Sequence, residues 1–364
     1  MSSIPSESSA ARGRQPSQER SASKSQSRSS SRPATPPSGV VWHVDRSPLV
    51  DAGKGQGYGA FATRQISAGE IIIQEKYMFE VEFNVDNHSE GGPPPSRIWA
   101  EFQRLSSKQQ QFYLDWYTYV ASESKLLEYA KAAGSPCHSK EDALKVGKVV
   151  AIFKNNNTET SVFTHAFFKD AARLNHSCIP NTTYAYYDDT GVYIVRAAKD
   201  IRMNEEILDS YASEIATKIE RDRSLRRYDF VCTCLACGNT DYAARTETRR
   251  QGLWHLQKQI ERADFMGDIG AANPDNDVVG PEDVPRAYER MLELLAQEPS
   301  FMQKTKGETA YKLGKRHAMD HKLAEAKKQL KYALPFLITC RGMEDRMTAD
   351  CLIGLIETSH RIVR

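Results

Sequence analysis

Leu174-Asn175-His176-Ser177-Cys178-Ile179-Pro180-Asn181 places an Asn-His pair, one Cys and an Asn after Pro within eight residues. Far downstream stands Cys232-Thr233-Cys234-Leu235-Ala236-Cys237. Three thiols in six residues serve little packing purpose. Thiolates are, however, the preferred ligands of a closed structural zinc site. Such a site takes four ligands, so the cluster is one short. Spacing alone leaves the fourth open among Cys137, Cys178, Cys340, Cys351 and nearby His. If it is Cys178, the chain crosses back on itself there, and a ligand pocket lies at the crossing.

The rest of the chain sets bounds on that reading. Its 364 residues, 40% of them hydrophobic, suffice for two or three domains with packed cores. A net charge of +2 gives no global field that argues for nucleic acid. Residues 1–38 carry six Arg/Lys and two Glu, hence +4, in a background of Ser, Gln and Pro with little to bury. Such a segment cannot offset its ordering entropy and is expected to be a disordered tail. No run of 18 apolar residues and no secretory core are present, so the expectation is an intracellular protein, nuclear and/or cytoplasmic, without a membrane partner. Seven Cys, an odd number, point to thiols or metal rather than a disulfide framework.

Along the chain, Gly53, Gly55, Gly57 and Gly59 alternate, a pattern that lets backbone approach a ligand closely. It is neither a dinucleotide fingerprint nor a P-loop. Strand-like runs follow at Ala60–Thr63 and Glu70–Glu75, and Ile71-Ile72-Ile73 reads as a strand buried on both faces. From Ser96 to about Ala133 the pattern is helical, with Trp99, Phe102 and Leu105 on one stripe and Phe112, Trp116 and Tyr119 on another. Thr183–Tyr187 and Gly191–Ala197 read as a hairpin. After Gly238 the pattern is helical throughout. Pro335 is expected to kink or end its helix. Leu313, Gly314, His317, Ala326, Leu330 and Ala333 have spacings like a tetratricopeptide helix pair.

In order, the chain shows Gly57-x-Gly59 before a strand, Asn175-His176-Ser177-Cys178-x-Pro180-Asn181, Glu205-Glu206-Ile207-x-x-Ser210-Tyr211, and Tyr228-x-Phe230-x-Cys232-x-Cys234-x-x-Cys237. This set resembles the SET-domain protein lysine methyltransferases, most nearly the SMYD branch and its fungal relatives, over about Val40 to Gly238. The resemblance implies an α+β, pseudo-knotted β fold with a helical insertion, a zinc-binding post-SET segment and an α-helical, TPR-like C-terminal domain. The implied partition is 1–38 tail, 39–83 SET N-terminal part, 84–160 helical insertion, 161–212 SET C-terminal part, 213–240 post-SET zinc segment and 241–364 helical domain.

The same resemblance implies methyl transfer from S-adenosylmethionine to the ε-amine of a lysine in a protein substrate, histone or non-histone. It implies Tyr211 as catalytic residue, and Gln56, Gly57, Tyr58, Asn175, His176, Tyr211 and Phe230 around the cofactor. Tyr228 and Phe163 would line the substrate channel, and Cys178, Cys232, Cys234 and Cys237 would hold one structural Zn2+. A monomer without direct nucleic-acid contact is expected. Two departures stand out. The insertion holds only Cys137, with His88 and His138, too few for the two-zinc MYND finger of SMYD proteins. Asn204 stands where the family has Gly, and Asn tolerates left-handed φ. The alternative is a catalytically inactive SET-fold scaffold that binds protein partners through its helical domain.

Overall fold

The structure is a computed structural model that describes residues 39–48, 57–84, 92–116, 122–228, 230–268, 283–298 and 302–363. All of these lie in one compact unit, Thr35–Arg364. The tail expectation for residues 1–38, together with Gly53, Gly55, Gln56, His88 and Tyr119, falls outside the described residues.

The N-terminal part supplies β1 (Trp42–Arg46), β2 (Tyr58–Ala62), β3 (Ile71–Lys76) and β4 (Phe79–Glu82). The insertion supplies α1 (Pro95–Gln103), α2 (Ser107–Leu114), α3 (Glu123–Ala133) and α4 (Lys140–Asn156). Then come β5 (Asn157–Ser161), β6 (Thr164–Phe167), β7 (Asn175–His176), β8 (Thr182–Tyr187), β9 (Val192–Ala197) and β10 (Glu206–Asp209). They form three small sheets, ordered β1-β2-β10-β7, β3-β9-β8 and β4-β6-β5. Ala60, Ala62, Ile73, Val195, Ile201 and Ile207 share the core between them.

The expected strands and the hairpin appear within one or two residues of their expected ends. The reading of Ile71 needs correction. Ile71 is 38% exposed while Ile72 and Ile73 are both buried. The pairing of β3 with β9 shifts register between Ile71 and Ile73. That bulge, not burial of both faces, puts two consecutive side chains inside. The Asn204 turn is as expected, with φ 64°.

In the insertion the second aromatic stripe holds at Trp116, which is buried, and fails at Phe112. Phe112 is 44% exposed, whereas Tyr113 is fully buried and its hydroxyl donates to the Val149 carbonyl at 3.0 Å. A buried Tyr hydroxyl needs such a partner, and α4 supplies it.

Past the sheets run α5 (Lys218–Leu225), α6 (Asp241–Asp268), α7 (Val284–Ala296), α8 (Gln303–Met319), α9 (Leu323–Arg341) and α10 (Arg346–Val363). Leu253, Ile260, Met291, Leu295 and Leu313 make one apolar cluster across α6, α7 and α8. Ala310, Leu330, Ala333, Leu337 and Cys351 make another across α8, α9 and α10. Pro335 lies inside α9 and does not end it, since the helix runs six residues further to Arg341. Packing of Ala333 and Leu337 on either side of the proline holds the helix together there. The helical region meets the sheets through hydrogen bonds from Tyr187 Oη to the Arg341 carbonyl (2.8 Å), from Lys304 Nζ to the Tyr184 carbonyl (3.2 Å) and from Thr305 Oγ1 to Glu214 (2.7 Å).

Candidate active site and cysteine cluster

The Asn-His pair is short because it forms β7, a two-residue strand parallel to β10, with Asn175 opposite Leu208 and His176 opposite Asp209. Asn181 closes the crossing. Its Nδ2 donates to the Glu206 carbonyl at 2.8 Å, and its Oδ1 accepts from Leu208 N at 2.8 Å. An Asn side chain offers both a donor and an acceptor, so it replaces a missing rung of backbone pairing. The approach to β7 is set from β3. Glu75 accepts from the main-chain N–H groups of Asp170 (3.0 Å) and Ala171 (2.7 Å), which open the 3-10 turn Ala171–Arg173. Burial pushes the Glu75 carboxyl up to about 7 despite those two donors.

The glycine turn meets the crossing at Gly59. A Cβ there would lie 2.1 Å from Glu206 Oε1 and 2.8 Å from Asn175 Nδ2. Only glycine admits this approach. Glu206 accepts from Asn175 Nδ2 at 2.7 Å and from Ser47 Oγ at 2.9 Å, and Asn175 Nδ2 also donates to the Tyr58 carbonyl at 3.1 Å. The Glu206 carboxylate thus ties β10 to β7 and to the residue after β1, and Asn175 extends the link to β2. Sequence reasoning quoted Glu206 within a motif but gave it no role, because its partners lie 31 and 159 residues away.

Tyr211 follows β10. Its hydroxyl donates to the Leu174 carbonyl at 2.6 Å, and its main-chain N–H donates to His176 Nδ1 at 2.9 Å. Burial, then the nearby Tyr228, Asp209 and Glu206, push the Tyr211 hydroxyl far above its ordinary range, so it stays protonated. His176 is pushed down to about 4, first by burial. Its ring is therefore neutral, and with Nδ1 accepting, Nε2 carries the proton. That nitrogen lies 3.3 Å from Cys178 Sγ. Tyr228 stands 4.7 Å from Tyr211 between ring centres, and Phe230 stands 6.0 Å from His176.

Cys178, Cys232, Cys234 and Cys237 bring their sulfurs within 4.8 Å of one another. Cys178 lies 3.8 Å from Cys232 and 3.5 Å from Cys237. A tetrahedral ion about 2.3 Å from each sulfur requires edges of about 3.8 Å. The spacing and the all-thiol donor set fit one zinc-sized ion. Hydrogen bonds to Cys232, Cys234 and Cys237, added to burial, push the Cys178 thiol far up, and the same contacts hold Cys234 far down. A divalent cation among the four sulfurs would stabilise them as thiolates.

The structure thus gathers Gly57, Tyr58, Asn175, His176, Tyr211, Tyr228 and Phe230 around the crossing, with the four cysteines behind it. Phe163 is not among them. It lies at the β5–β6 turn, 42% exposed, its ring 6.1 Å from Phe83. The β5–β6 hairpin carries it outward with β4. Gln56 lies outside the described residues. Sequence reasoning missed Asp209, whose carboxyl beside Tyr211 is pushed up to about 6 by burial. A single Asp at a strand end carries no local signal of burial.

Residues 57–212 match the family model described as SET domain. The N-lysine methyltransferase SMYD2 of Homo sapiens is 34% identical over 100 residues, which are 27% of this chain and 23% of its own length. The histone-lysine N-methyltransferase SET5 of Meyerozyma guilliermondii is 34% identical over 92 residues, 24% and 18% of the two lengths. The histone-lysine N-methyltransferase set5 of Schizosaccharomyces pombe is 24% identical over 182 residues, 49% and 55%. The chain spans between about a fifth and about half of the length of these curated relatives. A solved structure of Rubisco LSMT bound to AdoMet is 13% identical over 89% of each chain at a TM-score of 0.35, too loose to bear on the site. Gly57, Gly59, the Asn-His crossing and Tyr211 therefore all fall inside the residues that match the SET domain model, and over part of its length the chain is similar to the SMYD2 and SET5 methyltransferases.

Proposed function

We propose that this chain transfers a methyl group from S-adenosylmethionine to a lysine ε-amine of a protein substrate. The observation that carries the reading is Tyr211, its hydroxyl held on the Leu174 carbonyl beside Asn175, His176 and an aromatic wall. The lysine methyltransferase activity of the SMYD and SET5 relatives agrees with it. When bound, the cofactor supplies a methyl group on a cationic sulfur. The site suits a cation, because carbonyl oxygens and ring faces converge there and the one imidazole is neutral. Gly57 and Tyr58, with Gln56, would hold the cofactor through backbone groups, Asn175 and His176 would hold its amino acid and adenine parts, and Phe230 would cover the adenine.

Tyr211 directs its hydroxyl hydrogen bond to the Leu174 carbonyl, so its oxygen presents lone pairs where positive charge disperses in transfer. Tyr228 beside it excludes water and favours the uncharged form of an incoming lysine, the form that can accept a methyl group. Alignment of amine and methyl group supplies the remainder. The four cysteines would hold one structural zinc within a post-SET segment, 213–240. Residues 241–364 would be a TPR-like helical domain that guides the protein substrate.

Incubation with labelled cofactor and a protein extract tests the activity, with Tyr211→Phe as control. Transfer is expected to fall by about a hundredfold, while calorimetry shows cofactor binding kept. Unchanged turnover in Tyr211→Phe removes the catalytic role of Tyr211. A wild-type chain that binds no cofactor leaves the scaffold reading in its place.

A further inference from the structure

The proposed methyl transfer gives the helical insertion no role, yet the insertion touches the chain one residue before Leu174. Arg173 ends the 3-10 turn Ala171–Arg173, and its guanidinium carbon lies over the Trp116 ring, 3.5 Å from the ring centre. At that distance the guanidinium is in contact with the ring face. Trp116 follows α2 and is itself held on three sides. It is 4% exposed, its ring stands edge-on to Phe167 of β6 at 5.3 Å, and its Nε1 donates to Asn156 Oδ1 of α4 at 3.3 Å. Its main-chain N–H donates to the Tyr113 carbonyl at 3.0 Å.

A 3-10 turn of three residues has poor hydrogen-bond geometry of its own, so its ends depend on outside contacts. Glu75 holds the start through Asp170 and Ala171 N–H, and Trp116 holds the end through Arg173. The next residue is Leu174, whose side chain is buried and whose carbonyl accepts from the Tyr211 hydroxyl at 2.6 Å. A carbonyl swings with the backbone torsions on either side of it. Pairing of Asn175 with Leu208 fixes one side, and the turn fixes the other.

We propose that Arg173, stacked on Trp116, is a positioning residue for Tyr211: the insertion sets the end of the turn, and the turn sets the carbonyl that aims the Tyr211 hydroxyl. The inference rests on the methyl-transfer reading. Without the stack the carbonyl tilts, the hydroxyl follows, and its lone pairs leave the place where charge disperses. A displacement of about 1 Å near a reacting centre costs about a hundredfold in rate. Asn175 and His176 are held separately, by Glu206 and by the Tyr211 N–H, so cofactor affinity should survive. A planar guanidinium matches the face of an indole, whereas a lysine ammonium is a point charge without a plane.

The test uses the full-length chain, labelled S-adenosylmethionine at saturation and the extract protein that wild type labels best. Arg173→Met is expected to lower the rate about tenfold while calorimetric cofactor affinity stays within about twofold. In a Tyr211→Phe background the same change should move the residual rate by less than about twofold. A tenfold fall repeated in that background overturns the proposal, as does a wild-type rate in Arg173→Met or an equal loss of cofactor affinity. Trp116→Phe keeps a ring face and should stay within about threefold of wild type, whereas Trp116→Leu should fall as Arg173→Met does. Equal rates in these two variants overturn the proposal, and they decide where Arg173→Met does not fold. Chemical denaturation supplies a readout without turnover. Arg173→Met and Tyr211→Phe together should shift the unfolding equilibrium at least about threefold less than the product of their single shifts. Shifts that multiply within about twofold overturn the coupling. A wild-type chain that transfers no methyl group overturns the methyl-transfer reading, and the denaturation cycle then decides this inference by itself.

Discussion

The crossing and the C-terminal helices are held together by different physics. At the crossing, Glu206, Asn175, Asn181, His176 and Tyr211 each pair side-chain atoms with particular partners far away in sequence. In the helices, apolar side chains fill two clusters whose members are largely interchangeable in kind. Directional bonds depend on which atom stands where, while close-packed apolar contacts depend mainly on volume. The same substitution should therefore cost much more at the crossing than in the helices.

Glycine offers the sharpest way to break that contrast. Gly59→Ala drives a methyl group onto Glu206 Oε1, which cannot leave without losing its bonds from Asn175 and Ser47. Two hydrogen bonds to a buried carboxylate are at stake, so destabilisation above about 3 kcal/mol is expected. Chemical denaturation measures it, and a cost below about 1 kcal/mol would erase the distinction.

The next effect concerns pH. Glu75 titrates at about 7 in the fold, above its ordinary 4.5, because burial disfavours its charge. The folded state binds the proton more tightly than the unfolded chain does. The stabilisation is therefore complete below about pH 4.5 and lost as pH rises toward 7. Glu75→Gln should remove that slope. Relative to wild type it should gain on the order of 3 kcal/mol between pH 4.5 and 8. Parallel stability curves for the two proteins would show that the Asp170 and Ala171 donors, not burial, set its charge.

The smallest effect belongs to the helices. Gly314→Ala on α8 would place a methyl group 2.9 Å from the Leu330 side chain of α9. Leu330 would have to shift its Cγ and Cδ2 within the cluster, and against that cost alanine gains about 1 kcal/mol of helix propensity over glycine. A net change within about 1 kcal/mol is expected, and a loss as large as that at Gly59 would show the helical clusters to be as exacting as the crossing.

The same contrast explains how much could be read from sequence. Motif residues at the crossing were legible because their chemistry is specific: an Asn-His pair, a lone Cys before Pro-Asn, three clustered thiols. Helices and the β8–β9 hairpin were legible from periodicity and turn residues. Partnerships were not. Nothing local distinguishes Tyr113 from Phe112 until α4 offers a carbonyl, and nothing marks Ile71 as the exposed member of three until the bulge is formed. Arg221 and Arg250 sit in charged helical stretches, and only the fold turns them inward. Pro335 reads as a helix end because the sequence does not reveal what packs on either side of it.

Residue 60 on β2 pairs with Val44 on β1 along one edge, but along its other edge its partner is residue 207 on β10. The insertion, both hairpins and the Asn-His segment must all leave the ribosome before that strand pair can close. Such distant pairing is slow, because a long loop must be closed before any contact rewards it. Until then the edge of β2 that will face β10 has only unpaired N–H and C=O groups to show, beside a turn built for close approach. Synthesis itself imposes a waiting time on this protein, and β2 spends that time with one edge open.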